Sequence, residues 1–292
     1  MRATRVRSQR LSLEAISLRL PPPAFFISAA TFHYLGPSLA VLLFAEVAPL
    51  GVAWLRIVSA ALVLCLWRRP WRLVVTLDRR QLVLLVALAV VLAVMNGCFY
   101  LAIARLPLST VGAIEFLGPI ALATLGTRTT RNWLALLLAV AGAAVLLQVR
   151  VEDHPLGFAF AFANCSLFAA YVVLGHRTAE DGGAAGVDRL ALALLLAVPV
   201  ITLLGLPRAL PALGQWRLLV AGVGVGVCSS VIPYVLDQLA MARLPRSTFA
   251  LMLTLLPACA TVMGLLVLHQ VPRPQDLAGV LLVIVGLALH RD

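Results

Sequence analysis

The sequence predicts an all-α membrane protein of ten transmembrane helices, arranged as two inverted five-helix repeats. Three observations predict it. Hydrophobic residues make up 62% of the 292 residues and charged residues only 12%, against about 45–50% and about 25% in a soluble domain. Apolar runs of the length a membrane helix needs, about 17–25 residues, recur ten times along the chain. A decapeptide occurs twice: residues 101–110 read LAIARLPLST and residues 239–248 read LAMARLPRST, identical at eight of ten positions at an offset of 138.

The composition excludes a soluble globular enzyme, a disordered chain and a nucleic-acid-binding domain. The net charge is +11, and all 23 basic residues are arginine. In a membrane protein that charge belongs to the loops, where it sets orientation. Cys65, Cys98, Cys165, Cys228 and Cys259 each stand alone in an apolar stretch. None has a CxxC partner or a His at ligand spacing, so no metal site and no redox pair are expected. They read as small buried hydrophobes.

Residues 1–23 are Arg-rich, end in three prolines and lack a small-residue cleavage site. They read as a cytosolic tail, not a signal peptide. The spans follow at 24–44, 50–67, 82–103, 110–126 and 133–149, which make the first repeat, residues 24–149. Those at 156–175, 190–206, 218–241, 249–268 and 276–290 make the second, residues 150–292. Short loops leave no room for a sizeable soluble domain. With both termini cytosolic, 17 arginines fall on inner segments and 5 on outer loops, while Arg56 lies inside a span. That bias is the positive-inside pattern. Five spans per half make the second decapeptide enter the membrane in the opposite sense, with Arg105 outside and Arg243 inside. Inverted repeats are an architecture of secondary transporters, whose substrate sits between the halves near the midplane.

The order and spacing of several short motifs resemble a known group. They are Gly51-Val52-Ala53-Trp54-Leu55-Arg56, Pro70-Trp71-Arg72-Leu73 and Glu115-Phe116-Leu117-Gly118-Pro119. In the second half they are Pro233-Tyr234, Ala242-Arg243-Leu244-Pro245 and Thr248-Phe249. With the span count and length, the chain resembles the EamA-type branch of the drug/metabolite transporter superfamily over residues 24–290. Within that branch it is most similar to inner-membrane threonine/homoserine exporters. The resemblance implies a carrier in a bacterial inner membrane that exports small metabolites, amino acids such as threonine and homoserine foremost. Its partners are then a small-molecule substrate and the lipid bilayer, with no nucleic acid and no cofactor. Two positions depart from the pattern. Such exporters usually carry a Glu before the proline of the ninth helix, where this chain has Leu256. They often have Gly-Glu after it, where this chain has His269-Gln270.

Ionisable residues are costly inside a span, at least about 2.5–3.5 kcal/mol each on insertion scales, so each can be weighed. Arg56 on the second helix and Glu115 on the fourth are expected at one outer level. They read either as a structural ion pair or as a charged layer that meets substrate. Gly112, Glu115 and Pro119 share a face of helix four, and Gly118-Pro119 is expected to bend it. Asn96 and Tyr100 join the outer layer at i, i+4, with interhelical hydrogen bonding as the alternative. Ser230, Tyr234, Asp237 and Gln238 on helix eight are expected to form an inner layer. At the repeat offset Asn96 maps to Tyr234, Tyr100 to Gln238 and Glu115 to Leu253, beside Thr254. Asp237 reads either as a buried carboxylate or as one facing cytosolic water and Arg243. Asn164 and Tyr171 share a face of helix six, and His33 lies midway along helix one, either packed or in the pathway. The substrate-binding candidates are therefore Arg56, Asn96, Tyr100, Glu115, Asn164, Tyr171, Tyr234, Gln238 and Thr254.

The chain lacks a Walker loop, which leaves proton coupling or uniport; Glu115 and Asp237 are the proton-coupling candidates. It also lacks a GxSxG elbow and a HExxH pair, so an intramembrane enzyme is not expected. The competing transporter reading is a drug or multidrug efflux carrier for cationic amphipathic compounds.

Overall fold

The computed structural model describes residues 22–118, 121, 129–148, 154–179, 183–241 and 255–289. The N-terminal tail before Pro22, Pro119, Arg243, Leu253 and Thr254 lie outside them. Among the described residues all regular structure is helical. The helices are α1 Pro22–Leu43, α2 Pro49–Arg68, α3 Arg79–Ile103, α4 Leu108–Glu115, α5 Thr130–Gln148, α6 Pro155–Ala179 and α7 Gly183–Leu213. α8 has three parts, an α segment Trp216–Gly226, a π-helical turn Val227–Val231 and an α segment Ile232–Met241; α9 Leu255–Leu268 and α10 Pro274–Leu289 follow. Among the described residues five helices are long and apolar enough to cross a membrane: Pro49–Arg68, Arg79–Ile103, Pro155–Thr178, Ala185–Leu213 and Trp216–Ala240. Thr130–Val145, Leu256–Leu268 and Pro274–Gly286 are shorter apolar helices. The protein is an all-α, multi-pass membrane protein.

Local sequence sets the helix ends. α2 opens on Pro49, whose missing N–H costs nothing in a first turn. It stops where Arg69 turns left-handed (φ 53°) and returns its N–H to the Cys65 carbonyl, just before Pro70. α3 opens on a capping box: the Asp78 carboxylate accepts from the Gln81 N–H at 2.6 Å, and the Gln81 side-chain carbonyl accepts from the Asp78 N–H at 3.2 Å. α4 follows Pro107, and its first amide, Leu108 N–H, donates to the Gln270 side chain at 3.1 Å. α9 ends at His269, also left-handed (φ 53°), after which the Gln270 N–H closes on the Gly264 carbonyl. His269 and Gln270 thus end α9 and cap α4.

α2 packs on α7, α3 on α6 and α7, α1 on α9 and on the second segment of α8, α4 on α9 and α6, and α5 on α10. Helices in a membrane gain little by hiding apolar surface from lipid, so small residues that let backbones touch do the joining. At the α2·α7 contact a Cβ on Gly51 would sit 2.5 Å from the Arg208 carbonyl oxygen, and one on Gly205 would sit 2.5 Å from that of Leu50. Arg68 at the end of α2 also donates Nε to Asp188 Oδ1 of α7 at 2.6 Å, a pair closed off from solvent.

Large apolar side chains face outward, and polar groups within the helices are turned inward among a mostly apolar core. Leu203 is 84% exposed and Leu66 71%, while Arg56 and Glu115 are 3% exposed each and Asn164 and Gln238 are fully buried.

Candidate functional site

Arg56, Asn96, Glu115, Asn164, Ser229 and Ser230 are buried where α1, α2, α3, α4, α6 and α8 meet. The structure brings Arg56, Asn96, Glu115, Asn164 and Tyr234 to one cavity, with His33, Met95, Phe99 and Phe168 completing most of its wall. The cavity is small. Its volume is about 10 Å³, the room of one water.

Arg56 is held by the break in α8. Its Nε donates to Ser230 Oγ at 2.8 Å and its Nη2 to the Ser229 carbonyl at 2.7 Å. That carbonyl is available for a reason written in the sequence. In a regular helix it would accept from the N–H four residues on, but that residue is Pro233, which has none. The π-turn Val227–Val231 widens the helix at the same point. Gly36 and Gly226 let the three helices close around it. A Cβ on Gly36 would lie 2.7 Å from the Ser229 Cα, and one on Gly226 would lie 2.8 Å from the Arg56 carbonyl oxygen. The guanidinium carbon also stands 5.6 Å from the centroid of the Tyr100 ring.

Glu115 is the last residue of regular helix in α4. Its Oε2 accepts from the Tyr34 hydroxyl and its Oε1 from Asn164 Nδ2, both at 3.0 Å. Gly112, one turn earlier, makes room for Tyr34: a Cβ there would come within 3.1 Å of the Tyr34 hydroxyl. Gly118 lies against α6, where a Cβ would be 2.6 Å from the Cys165 carbonyl oxygen.

Two expectations change. Arg56 and Glu115 share a cavity but are not each other's hydrogen-bond partners, since neutral groups hold each charge. Equal depth on two helices does not fix the direction in which the side chains turn. Nor do all the polar groups of α8 belong to one separate inner layer: Ser230 bonds Arg56, and Tyr234 lines the cavity beside Asn96 and Glu115, while Asp237 and Gln238 lie further along the helix. The registry of α8 against α2 puts Ser230, midway along α8, beside Arg56 in the second turn of α2.

Asn96 turns its amide to its own helix, and Tyr171, Asp237 and Gln238 lie outside the cavity wall. Asn96 donates Nδ2 back to the Leu92 carbonyl at 2.7 Å. Tyr171 faces Tyr234, ring centroids 5.7 Å apart. Gln238 is buried one turn beyond Tyr234, and Asp237 is half-buried next to it. Tyr34 and Ser229 escaped the sequence reading. Tyr34 sits in an apolar run like any membrane tyrosine, and the useful atom of Ser229 is a backbone carbonyl. Pro233, four residues after Ser229, was the available signal. A second cavity of about 420 Å³ lies at the α3–α4 and α9–α10 connections, among Arg105, Ser109, Gln270 and Asp276.

Known proteins resemble the chain closely enough to place it. The EamA-like transporter family matches residues 155–291. The threonine/homoserine exporter RhtA of Salmonella typhimurium (strain SL1344) is 34% identical over 238 residues, which cover 80% of this chain and 79% of that protein. The protein of the same name from Escherichia coli (strain K12) is 32% identical over 269 residues, covering 91% and 89%. A crystal structure of a protein with 17% identity superposes on 92% of this chain and 95% of its own, with a TM-score of 0.61. That last likeness speaks for the fold alone.

Proposed function

The chain belongs to the EamA-like transporter family, and from that premise we propose that it exports small zwitterionic amino acids, threonine and homoserine foremost. It works by alternating access between two inverted five-helix halves, residues 24–149 and 150–292, in a bacterial inner membrane with both termini cytosolic. The observation that carries the cargo is the arrangement of Arg56 and Glu115. A guanidinium and a carboxyl group border one cavity, and each is steadied by neutral groups. Arg56 has five N–H donors, and two bonds use only part of them. Glu115 keeps a lone pair on each oxygen. A substrate carboxylate at Arg56 and an ammonium at Glu115 make charge-assisted hydrogen bonds that a lipophilic cation does not. The names of the RhtA relatives support the same cargo.

The helix contacts support the two-half reading. Exchanging α1–α5 with α6–α10 carries the α3·α6 contact onto α8·α1, α3·α7 onto α8·α2, and α1·α9 onto α6·α4; α2·α7, α4·α9 and α5·α10 map onto themselves. A frame with that symmetry rocks about one centre. The centre has no room for an amino acid here, so loading requires the halves to move apart. The arginine bias supports the orientation, and the larger cavity at Arg105 then opens on the outer side.

The test is efflux from cells that lack their own threonine exporters. Overproduction is expected to raise tolerance to excess threonine or homoserine and to speed their release. Efflux of ethidium-like dyes with no effect on any amino acid would overturn the proposal and favour a drug exporter.

A further inference from the structure

Two buried groups beside the cavity take no part in holding Arg56 or Glu115. Gln238 is fully buried, and among the described residues neither its Nε2 nor its Oε1 has a hydrogen-bond partner. The same holds for the hydroxyl of Tyr171, 2% exposed. Burying polar groups unpaired is costly, because each gives up its bonds to water and gains none in return. They come from different helices, α8 and α6, and converge on one spot. A Cβ on Gly175 would lie 4.0 Å from Gln238 Nε2 and 3.9 Å from Tyr171 Cε2, ordinary contact distances. The spot continues from the cavity, because the Tyr171 ring faces Tyr234 at 5.7 Å and Tyr234 lines the cavity wall. Gln238 lies one helical turn, about 6 Å, further along α8 than Tyr234. This is the direction away from Ser230 and towards the end the proposed topology assigns to the cytosol.

We infer that Gln238, Tyr171 and Gly175 form a second substrate subsite on the cytosolic side of the Arg56–Glu115 cavity, shut in this conformation, that selects a hydroxyl-bearing side chain as cargo approaches. The orientation and the amino-acid cargo of the proposed function underlie it. A primary amide and a phenol offer donors and acceptors without net charge, which suits an alcohol. The methyl group of valine in place of the threonine hydroxyl leaves them unpaired. Sites built to hydrogen-bond a hydroxyl reject the analogue that lacks it far more strongly than apolar pockets discriminate by size. The inward-open state also relieves the unpaired amide by hydrating it.

Gln238→Leu separates the subsite from a merely misplaced amide. Removing an unpaired buried amide at nearly constant volume leaves the thermal midpoint of the purified protein unchanged or raises it. Threonine transport in inside-out vesicles is expected to fall about tenfold, the value of one well-made hydrogen bond, with valine transport unchanged. Wild-type threonine transport by Gln238→Leu overturns the inference. Should that variant not fold, Gly175→Cys decides, in a transport-competent background whose five native cysteines are replaced. A membrane-impermeant maleimide is expected to label it in inside-out but not right-side-out vesicles, with protection by threonine. Labelling from the outer side alone, or from neither side, overturns the inference. Glu115→Gln keeps the two readings apart. If it transports normally while Gln238→Leu does not, the cavity reading fails and the subsite stands. The reverse result removes the subsite and keeps the cavity.

Discussion

Helices α3 and α8 run into near-identical decapeptides, yet their middles are built differently. α3 is continuous from Arg79 to Ile103, and its buried amide, Asn96, bonds back to its own helix at Leu92. α8 is interrupted by the π-turn Val227–Val231, and Pro233 denies the Ser229 carbonyl its usual partner. The intact helix keeps its backbone polar groups to itself, whereas the broken one lends an acceptor to Arg56 of α2. Two helices that run into the same short sequence thus differ in what they offer the site, and the difference lies in one proline and one π-turn.

The largest effect should come from removing what the broken helix holds. Arg56→Leu is expected to cut threonine efflux about 1000-fold, since losing one partner of a buried charged arrangement costs about 2–5 kcal/mol; vesicle uptake of labelled substrate checks this. Arg56→Lys should rescue little, because an ammonium lacks the fork that reaches Ser230 and the Ser229 carbonyl together. Next comes Glu115→Gln, with an expected loss of about 100-fold and a normal thermal midpoint. Combined with Arg56→Leu in a folding cycle, it should show coupling below about 1 kcal/mol. Buried ion pairs in direct contact cost about 3–5 kcal/mol when one partner is removed, so coupling of that size would mean the two charges hold each other after all. Pro233→Ala tests the comparison itself. It returns an N–H to Ser229, draws that carbonyl back into α8 and should slow transport about tenfold while stabilising the helix. Unchanged transport would mean that the break in α8 is incidental. Gln270→Ala should do least: loss of the α4 cap costs about 1 kcal/mol, seen as a drop of about 2–4 °C in the thermal midpoint with efflux unaltered.

How much was legible in the sequence follows the same division. Helices stand out because little besides a membrane span needs an apolar run long enough to cross lipid, and α2, α3, α6, α7 and α8 answer that description. Arg56, Asn96, Glu115 and Asn164 were found by the cost of a polar group in such a run. Their partners were harder. Helix register and side-chain direction depend on packing between segments far apart in the chain, so Ser230 and Tyr234 of the expected inner layer meet the cavity instead. Tyr34 carries no mark that separates it from a packed aromatic. A backbone carbonyl has no letter, and only the spacing of Ser229 to Pro233 betrays it.

The closed centre has a bearing on the resting cell. A space with room for about one water admits no amino acid, so solute does not pass through the centre in this conformation. An idle carrier in this conformation is therefore not an open pore for the cell's amino-acid pool.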